Sequence, residues 1–264
     1  MKSQWILGLI VAVCSWAAVA QPITVTDLAG RQVTLNAPAT RIILADSRML
    51  LPMSLLHPGN ALQGIVAWDD SLQTRAPDMR RYFTQHYPLL PSVPVFINPY
   101  RSSFNVEQAT TLKPDLIVFD TGILAKLKSE GTLALLEKSG IPVVFIDFRQ
   151  QPLAHTPISM RLLGEVTGEQ HNAGRFIQHW NQLLDRTRQR VAAIPKPTWP
   201  RVVFENHAGM TGMNCCAVCR RDTLGEFTLP VDCSTPFAWT VPPQGPDLGP
   251  GLPVFAPPGG ALPV

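Results

Sequence analysis

The feature that most constrains this chain is a series of short, uninterrupted apolar runs, each followed by a stretch of helical character. Arg41 to Leu44 (RIIL) precedes Arg48 to His57, Gly64 to Ala67 (GIVA) precedes Ala76 to His86, and Asp115 to Phe119 (DLIVF) precedes Leu124 to Ser139. Pro142 to Ile146 (PVVFI) closes the series, with Gly140 and Pro142 punctuating the end of the preceding helix. A strand that is apolar at every position must be buried on both faces, as in a parallel sheet covered by helices on each side. Ahead of the series, Ile23 to Leu35 alternates apolar and polar residues around Asp27-Leu28-Ala29-Gly30, the pattern of a hairpin.

This α/β unit runs to about Asp147 and is followed by helix. Thr156 to Gly164 forms a short piece, and Thr167-Gly168-Glu169-Gln170 has the T-x-x-Q pattern of a capping box. Ala173, Phe176, Ile177, Trp180, Leu183, Leu184 and Val191 then fall on one helical face, opposite Arg175, Gln178, Gln182, Asp185 and Arg188. A helix from Glu169 to Ala193 would span about 37 Å at 1.5 Å per residue. Lys196-Pro197 and Trp199-Pro200 end it, and Arg201 to Glu205 (RVVFE) reads as the opening strand of a second α/β unit.

Composition matters chiefly because it breaks. Residues 228–264 hold ten of the 26 prolines and two aspartates, with no Lys, Arg, Glu or His. Such a segment cannot form regular helices and is expected to be disordered. At the other end, Met1 to Ala20 combines one lysine, an apolar stretch and Ala18-Val19-Ala20 before Gln21-Pro22, the layout of a cleavable secretory signal. No later apolar run is long enough for a membrane span. The balance of 22 basic against 19 acidic residues gives no footprint for nucleic acid. The expected organisation is a signal peptide at 1–20 and an N-terminal lobe at 21–150 with a mainly parallel sheet. A helical segment with a long bridging helix follows at 151–195, then an incomplete second α/β lobe at 196–227 and a Pro-rich tail at 228–264.

Three stretches carry a family likeness: TVTDLAGRQVTLNAPATRII, FNVEQATTLKPDLIVFD and RLLGEVTGEQHNAGRF. In this order and spacing the chain resembles a periplasmic substrate-binding protein of the iron–siderophore and cobalamin class of ABC importers, from Ile23 to about Phe227. The resemblance implies two α/β lobes joined by one rigid helix, with ligand held between them. It also implies a monomer that passes a small iron chelate (a ferric siderophore, or a related chelate such as cobalamin or haem) to an inner-membrane permease. No cofactor of its own is implied.

Ligands of open α/β sheets sit beyond the carboxyl ends of the strands. The loops that qualify are Ala45 to Met49, which contains Ser47 and Arg48, together with Trp68 to Leu72, Asn98 to Phe104 and Asp120 to Leu124. A bulky anionic or dipolar chelate calls for guanidinium and hydroxyl donors with aromatic walls. Arg101 lies six residues before Glu107, where the resemblance places a ligand-contacting arginine. Arg101 is therefore the expected ionic anchor, with Tyr100 and Trp68 as walls and Ser47 and Arg48 as further contacts. Asp120 and Ile123 depart from the hydroxamate-binding pattern, which would have a hydroxyl and a tyrosine there. Glu107 matches a glutamate that pairs with permease arginines in cobalamin-type relatives, and it also suits the first turn of a helix capped by Asn105.

The alternative reading is a cysteine-based metal-binding or redox protein using Cys215, Cys216 and Cys219, with Cys233 and His207 nearby in sequence. An adjacent cysteine pair is not the spacing of a thiolate zinc site, and exported cysteines favour oxidation. No Ser-His-Asp, paired-carboxylate or phosphate-loop constellation stands out, so no enzymatic role is expected. The family pattern continues to Asp222-Thr223-Leu224-Gly225-Glu226-Phe227 and then stops. The expectation is a reading-frame shift near residue 227, which would leave the cleft closed from one side and binding weak. Translation of the gene in its other two frames is expected to continue a second-lobe pattern after Phe227, and its absence from both frames would refute the shift.

Overall fold

The computed structural model of the protein describes residues 21–195 and the backbone of two short strands farther along. The hairpin forms as expected, with β1 (Ile23–Thr26) antiparallel to β2 (Gln32–Leu35). Gly30 takes a φ of +75° at its turn, a conformation that favours glycine. The apolar runs become β3 (Ile42–Leu44), β4 (Ile65–Asp69), β6 (Leu116–Asp120) and β7 (Val143–Ile146). A two-residue strand, β5 (Val95–Phe96), joins them and is too short to leave an alternation in the sequence. All pairings among these strands are parallel, in the order β5-β4-β3-β6-β7.

Strand pleating divides each apolar run between two cores. Ile42 and Leu44, Leu116 and Val118, and Val144 and Ile146 face one side of the sheet, with Trp68 in the same cluster. They pack there against α1 (Leu50–Leu56), the single turn α2 (Ser71–Thr74), α3 (Pro77–His86) and α7 (Pro152–Thr167). Ile43, Ile117, Phe119, Val143 and Phe145 face the other side. Their partners come from α4 (Val106–Thr111), α5 (Leu124–Ser129) and α6 (Thr132–Lys138). The crossovers β3–β4 and β4–β5 thus use one face, and β5–β6 and β6–β7 use the other. The winding reverses between β3 and β6, where the strand-end loops diverge.

Helix boundaries differ from the sequence reading in three places, the first being α7, which runs Pro152–Thr167 and so extends the short piece read at Thr156 to Gly164 in both directions. The stretch from Leu124 to Ser139 is two helices, because Gly131 adopts a left-handed φ of +71° and separates them. Thr167 does not cap the long helix. It is the last residue of α7, where its hydroxyl donates to the Leu163 carbonyl at 2.6 Å, and Gly168 (φ +79°) closes that helix. The next helix, α8 (Gln170–Ala192), begins after Glu169, which makes no side-chain capping bond. Glu169 instead pairs with buried His57 at 3.3 Å, and Asn172 donates to the Leu56 carbonyl at 2.9 Å, tying α8 to the end of α1. Burial outweighs the Glu169 charge and holds the His57 imidazole below its usual pKa.

The first turns of α8 pack on α7 through Ala173, while Phe176 stacks on Trp180 along the expected apolar face. Leu183, farther along, is half exposed. Strands β8 (Glu205–His207) and β9 (Ala217–Val218) pair antiparallel with each other. The signal segment, Cys215, Cys216, Cys219, Cys233 and the tail at 228–264 lie outside the described residues. Close approach of α7 and α8 depends on Gly164, where an added Cβ would meet the Ala173 Cβ at 2.6 Å and the Glu169 carbonyl at 3.1 Å. Gly164→Ala is therefore expected to destabilise the protein by about 1–3 kcal/mol, read as a lowered urea midpoint.

Candidate functional site

The strand ends bring a set of polar residues to one edge of the sheet, organised by a buried carboxylate. Asp69, the last residue of β4, is 1% exposed. Its Oδ1 accepts from the Ser47 N–H at 2.6 Å and the Ser71 N–H at 3.1 Å. Its Oδ2 accepts from the Ser71 hydroxyl at 2.6 Å and from the Asn98 amide. Asn98 in turn accepts from the Tyr100 N–H at 2.9 Å, and its carbonyl accepts from the Arg101 N–H at 2.9 Å. One side chain therefore locks together the loops that follow β3, β4 and β5.

Tyr100 extends the network across the reversal point. Its hydroxyl donates to Asp120 Oδ1 at 3.0 Å, beside the Gly122 N–H at 2.8 Å. Burial is the main cause that lifts the Tyr100 phenol above its usual pKa, with the Asp120 charge adding to it. Burial also holds the Asp120 carboxyl above the usual carboxylate range, against the hydrogen bonds from Gly122 and Tyr100. Gly122 has no room for a side chain, since a Cβ there would meet the Tyr100 hydroxyl at 2.6 Å and Asp120 Oδ1 at 2.8 Å.

Three arginines stand around this edge. Arg48 pairs with Asp46, and the hydrogen bond to Asp46 is the chief reason that its pKa is raised, with the charges of Asp69 and Asp120 contributing. Arg101 pairs with Asp70, its side chain 46% exposed, so the pair orients the guanidinium more than it stabilises the fold. Arg149 is exposed and makes no ion pair among the described residues, yet its charge acts on both Tyr100 and Asp120. The Arg101 loop is pinned from below by Phe104, stacked on Phe96 and edge-on to Phe119, and by Lys126, whose Nζ donates to the Pro99 carbonyl at 2.6 Å and the Ser102 carbonyl at 3.1 Å.

Tyr100, Arg101 and Arg48 therefore meet at one edge. Two other expected contacts sit differently. Trp68 is 2% exposed and packs in the first core, because its place in β4 points the indole inward rather than at a ligand. Ser47 is fully buried, with its hydroxyl accepting the Leu72 N–H at 2.7 Å and its N–H spent on Asp69, so it braces the loop. Glu107 is exposed in the first turn of α4, and Asn105 caps that helix by accepting the Gln108 N–H at 2.9 Å. The loop after β7 was not singled out in the sequence, although it follows a buried strand just as the other four do. Asp147 shapes it by accepting the N–H groups of Arg149, Gln150 and Gln151 and a 2.6 Å contact from His155. Burial pushes the Asp147 carboxyl upward, but these hydrogen bonds prevail and hold it below its usual value. Among the described residues, no cluster of His, Cys, Asp or Glu is arranged to hold a metal ion. No described helix is long and apolar enough to cross a membrane.

A doubly wound sheet with a polar edge at its reversal point is the architecture of a small-molecule binding domain. The family described as periplasmic binding protein matches residues 89–214. The TroA-like periplasmic binding protein FepB from Veillonella parvula superposes with a TM-score of 0.66 at 29% identity, covering 76% of this chain and 57% of that one. Over these residues the chain is similar to periplasmic binding proteins. Two further structures share the fold at lower identity. A periplasmic heme binding protein from Pseudomonas aeruginosa gives a TM-score of 0.51 at 20% identity, over 75% of this chain and 62% of that one. The siderophore binding protein BauB, bound to a complex between two molecules of acinetobactin and ferric iron, gives 0.53 at 15% identity, over 81% and 67%. The chain thus spans 57% of the length of the Veillonella protein. No curated protein matches it.

Because the folded-state pKa of Asp120 is raised above its ordinary 3.8, its contribution to stability is complete below that value and is lost as pH rises through the folded value. Asp120→Asn keeps an acceptor for Tyr100 and Gly122 and removes the buried charge. It is expected to be more stable than the parent at pH 7 by about 0.5–2 kcal/mol. Urea unfolding at neutral pH and near pH 4 should show the difference shrinking as the parent carboxyl protonates.

Proposed function

We propose that this protein is the solute-binding component of an ABC importer, exported to the periplasm by residues 1–20, and that it carries a ferric siderophore or a related chelate such as haem or cobalamin. The observation that carries the reading is that Arg48, Tyr100 and Arg101 stand on loops at the same strand-end edge, with Tyr100 reaching across the reversal point to Asp120. Relatives of the same fold that bind a ferric siderophore complex or heme support the choice of ligand class. A chelate brings its own metal coordination, so the protein needs only charge, hydrogen-bond donors and shape. Arg101 acts as the ionic anchor, already oriented by Asp70, and Tyr100 is 40% exposed beside it. The role is transport rather than catalysis.

Delivery requires a docking face. Glu107, exposed at the start of α4, is proposed to pair with basic residues of the permease, where charge complementarity sets register and association rate. The strands at 205–207 and 217–218 are proposed to belong to the start of the incomplete second lobe.

A panel of ferric tris-hydroxamate, ferric tris-catecholate, haem and cobalamin, titrated against the protein by NMR or tryptophan fluorescence, tests the reading. Arg101→Ala is expected to lower affinity for the bound chelate about tenfold. Glu107→Ala should leave that affinity intact while reducing uptake through the reconstituted permease. Failure of every chelate on the panel to bind would count against the proposal.

A further inference from the structure

We propose that Asp120 is a specificity-determining residue that receives a cationic amino group of the ligand, with Arg149 taking an anionic oxygen of the same molecule. This rests on the reading of the protein as a chelate-binding component, and it narrows the ligand to a zwitterionic chelate bearing a free amine.

The argument is an inventory of the charges at the sheet edge. Arg48 is committed to Asp46, and Arg101 to Asp70. Asp69 has donors on both carboxylate oxygens, from Ser47, Ser71 and Asn98. Asp147 has donors on both as well, from three backbone N–H groups and His155. Asp120 differs from all of these. Its Oδ1 is filled by Tyr100 and Gly122, but its Oδ2 takes no donor among the described residues, and no cation pairs with it there.

That open oxygen is not fully enclosed. Among the described residues the buried side-chain atoms without a partner are His57 Nε2, Thr121 Oγ1 and Trp180 Nε1, and Asp120 Oδ2 is not one of them. Asp120 is nonetheless only 8% exposed. A nearly buried carboxylate with half its acceptor capacity unused is completed best by an external cation, since a charge-assisted bond also offsets the desolvation of the ion. Burial already disfavours its charged form, and a ligand ammonium would reverse that balance.

The surroundings fix where the cation would sit. Gly122 must lack a side chain for the Tyr100 hydroxyl to reach Asp120, so Oδ1 is held in place and Oδ2 is aimed by the same contacts. Asp120 is paired in register with Ile146, so the loop carrying Arg149 starts next to it, and the Nε2 of neighbouring Gln150 would lie 3.3 Å from a Cβ on Gly122. Arg149 is exposed and without an ion pair among the described residues, and its charge acts on Asp120 and Tyr100. The two adjoining loops thus offer one negative and one positive group, the complement of a zwitterion.

The test uses the full chain and two matched pairs of gallium(III) chelates, one tris-hydroxamate and one tris-catecholate, each prepared with a free terminal ammonium and in N-acetylated form. Gallium replaces ferric iron so that binding can be followed by NMR. In the chelate class that binds, the ammonium form is expected to bind about tenfold more tightly than its acetylated twin. Asp120→Asn, which preserves the contacts to Tyr100 and Gly122, should bring that ratio close to one. Arg149→Gln should weaken both members of the pair by a similar factor. Equal affinity of the parent for the two members, or a preference that survives Asp120→Asn, would overturn this assignment and leave chelate binding standing. Binding of none of the four complexes would overturn this inference, while the haem and cobalamin arms of the panel above would still decide the chelate reading.

Discussion

The carboxylate of Asp69 is the interaction on which the rest of the site depends. It lies at the end of a central strand, almost wholly buried, and accepts bonds from residues in the loops that follow three neighbouring strands. Removing an ion from water is costly, and the cost is met here by filling both oxygens with short donors. The same device recurs at the far edge, where Asp147 gathers three backbone N–H groups of its own loop. Loops that would otherwise sample many conformations are thereby held in one, and Tyr100 and Arg101 inherit that order. The site is rigid because its acids are structural.

A second constraint comes from the sheet. Continuous apolar runs supply two cores, and the faces alternate residue by residue, so the helices can be wound on one side and then on the other. The change of side between β3 and β6 opens the one place, among the described strands, where successive loops turn away from each other. Asp46 and Arg48 come from one side of this point, and Asp120 and Gly122 from the other. Aromatic packing of Phe96, Phe104, Phe119 and Phe145 beneath the edge ties the Arg101 loop to the second core. The similarity to periplasmic binding proteins is consistent with a preformed polar edge of this kind.

Much of the architecture was legible in the residues. The runs RIIL, DLIVF and PVVFI are strands within one residue of where the sequence puts them, and the hairpin and the long helix follow their periodicities. Asn105 caps its helix as read. The misreadings have local physical causes. Trp68 and Ser47 sit at strand ends, where the sequence shows only that a residue is close to the edge and not which way it points. Pleating turned the indole into the core, and hydrogen bonding turned the serine into a brace. Thr167 and Gln170 have capping-box spacing, but Gly168 can adopt a left-handed φ, so one helix ends there and the threonine belongs to it.

What the sequence determined by itself is the class of fold, since buried strands and amphipathic helices are written in periods of two and of 3.6 residues. It also marked the loop carrying Tyr100 and Arg101. Only the tertiary structure decided which acids are latches and which is open. Asp46, Asp69, Asp70, Asp120 and Asp147 look alike in the chain, each at or just past the end of an apolar run. They differ in the donors brought to them, which come from residues up to 31 positions away. Hydrogen bonding across such distances leaves no local pattern, so the singular position of Asp120 and the proximity of Arg149 to it emerge only when the strands are laid side by side.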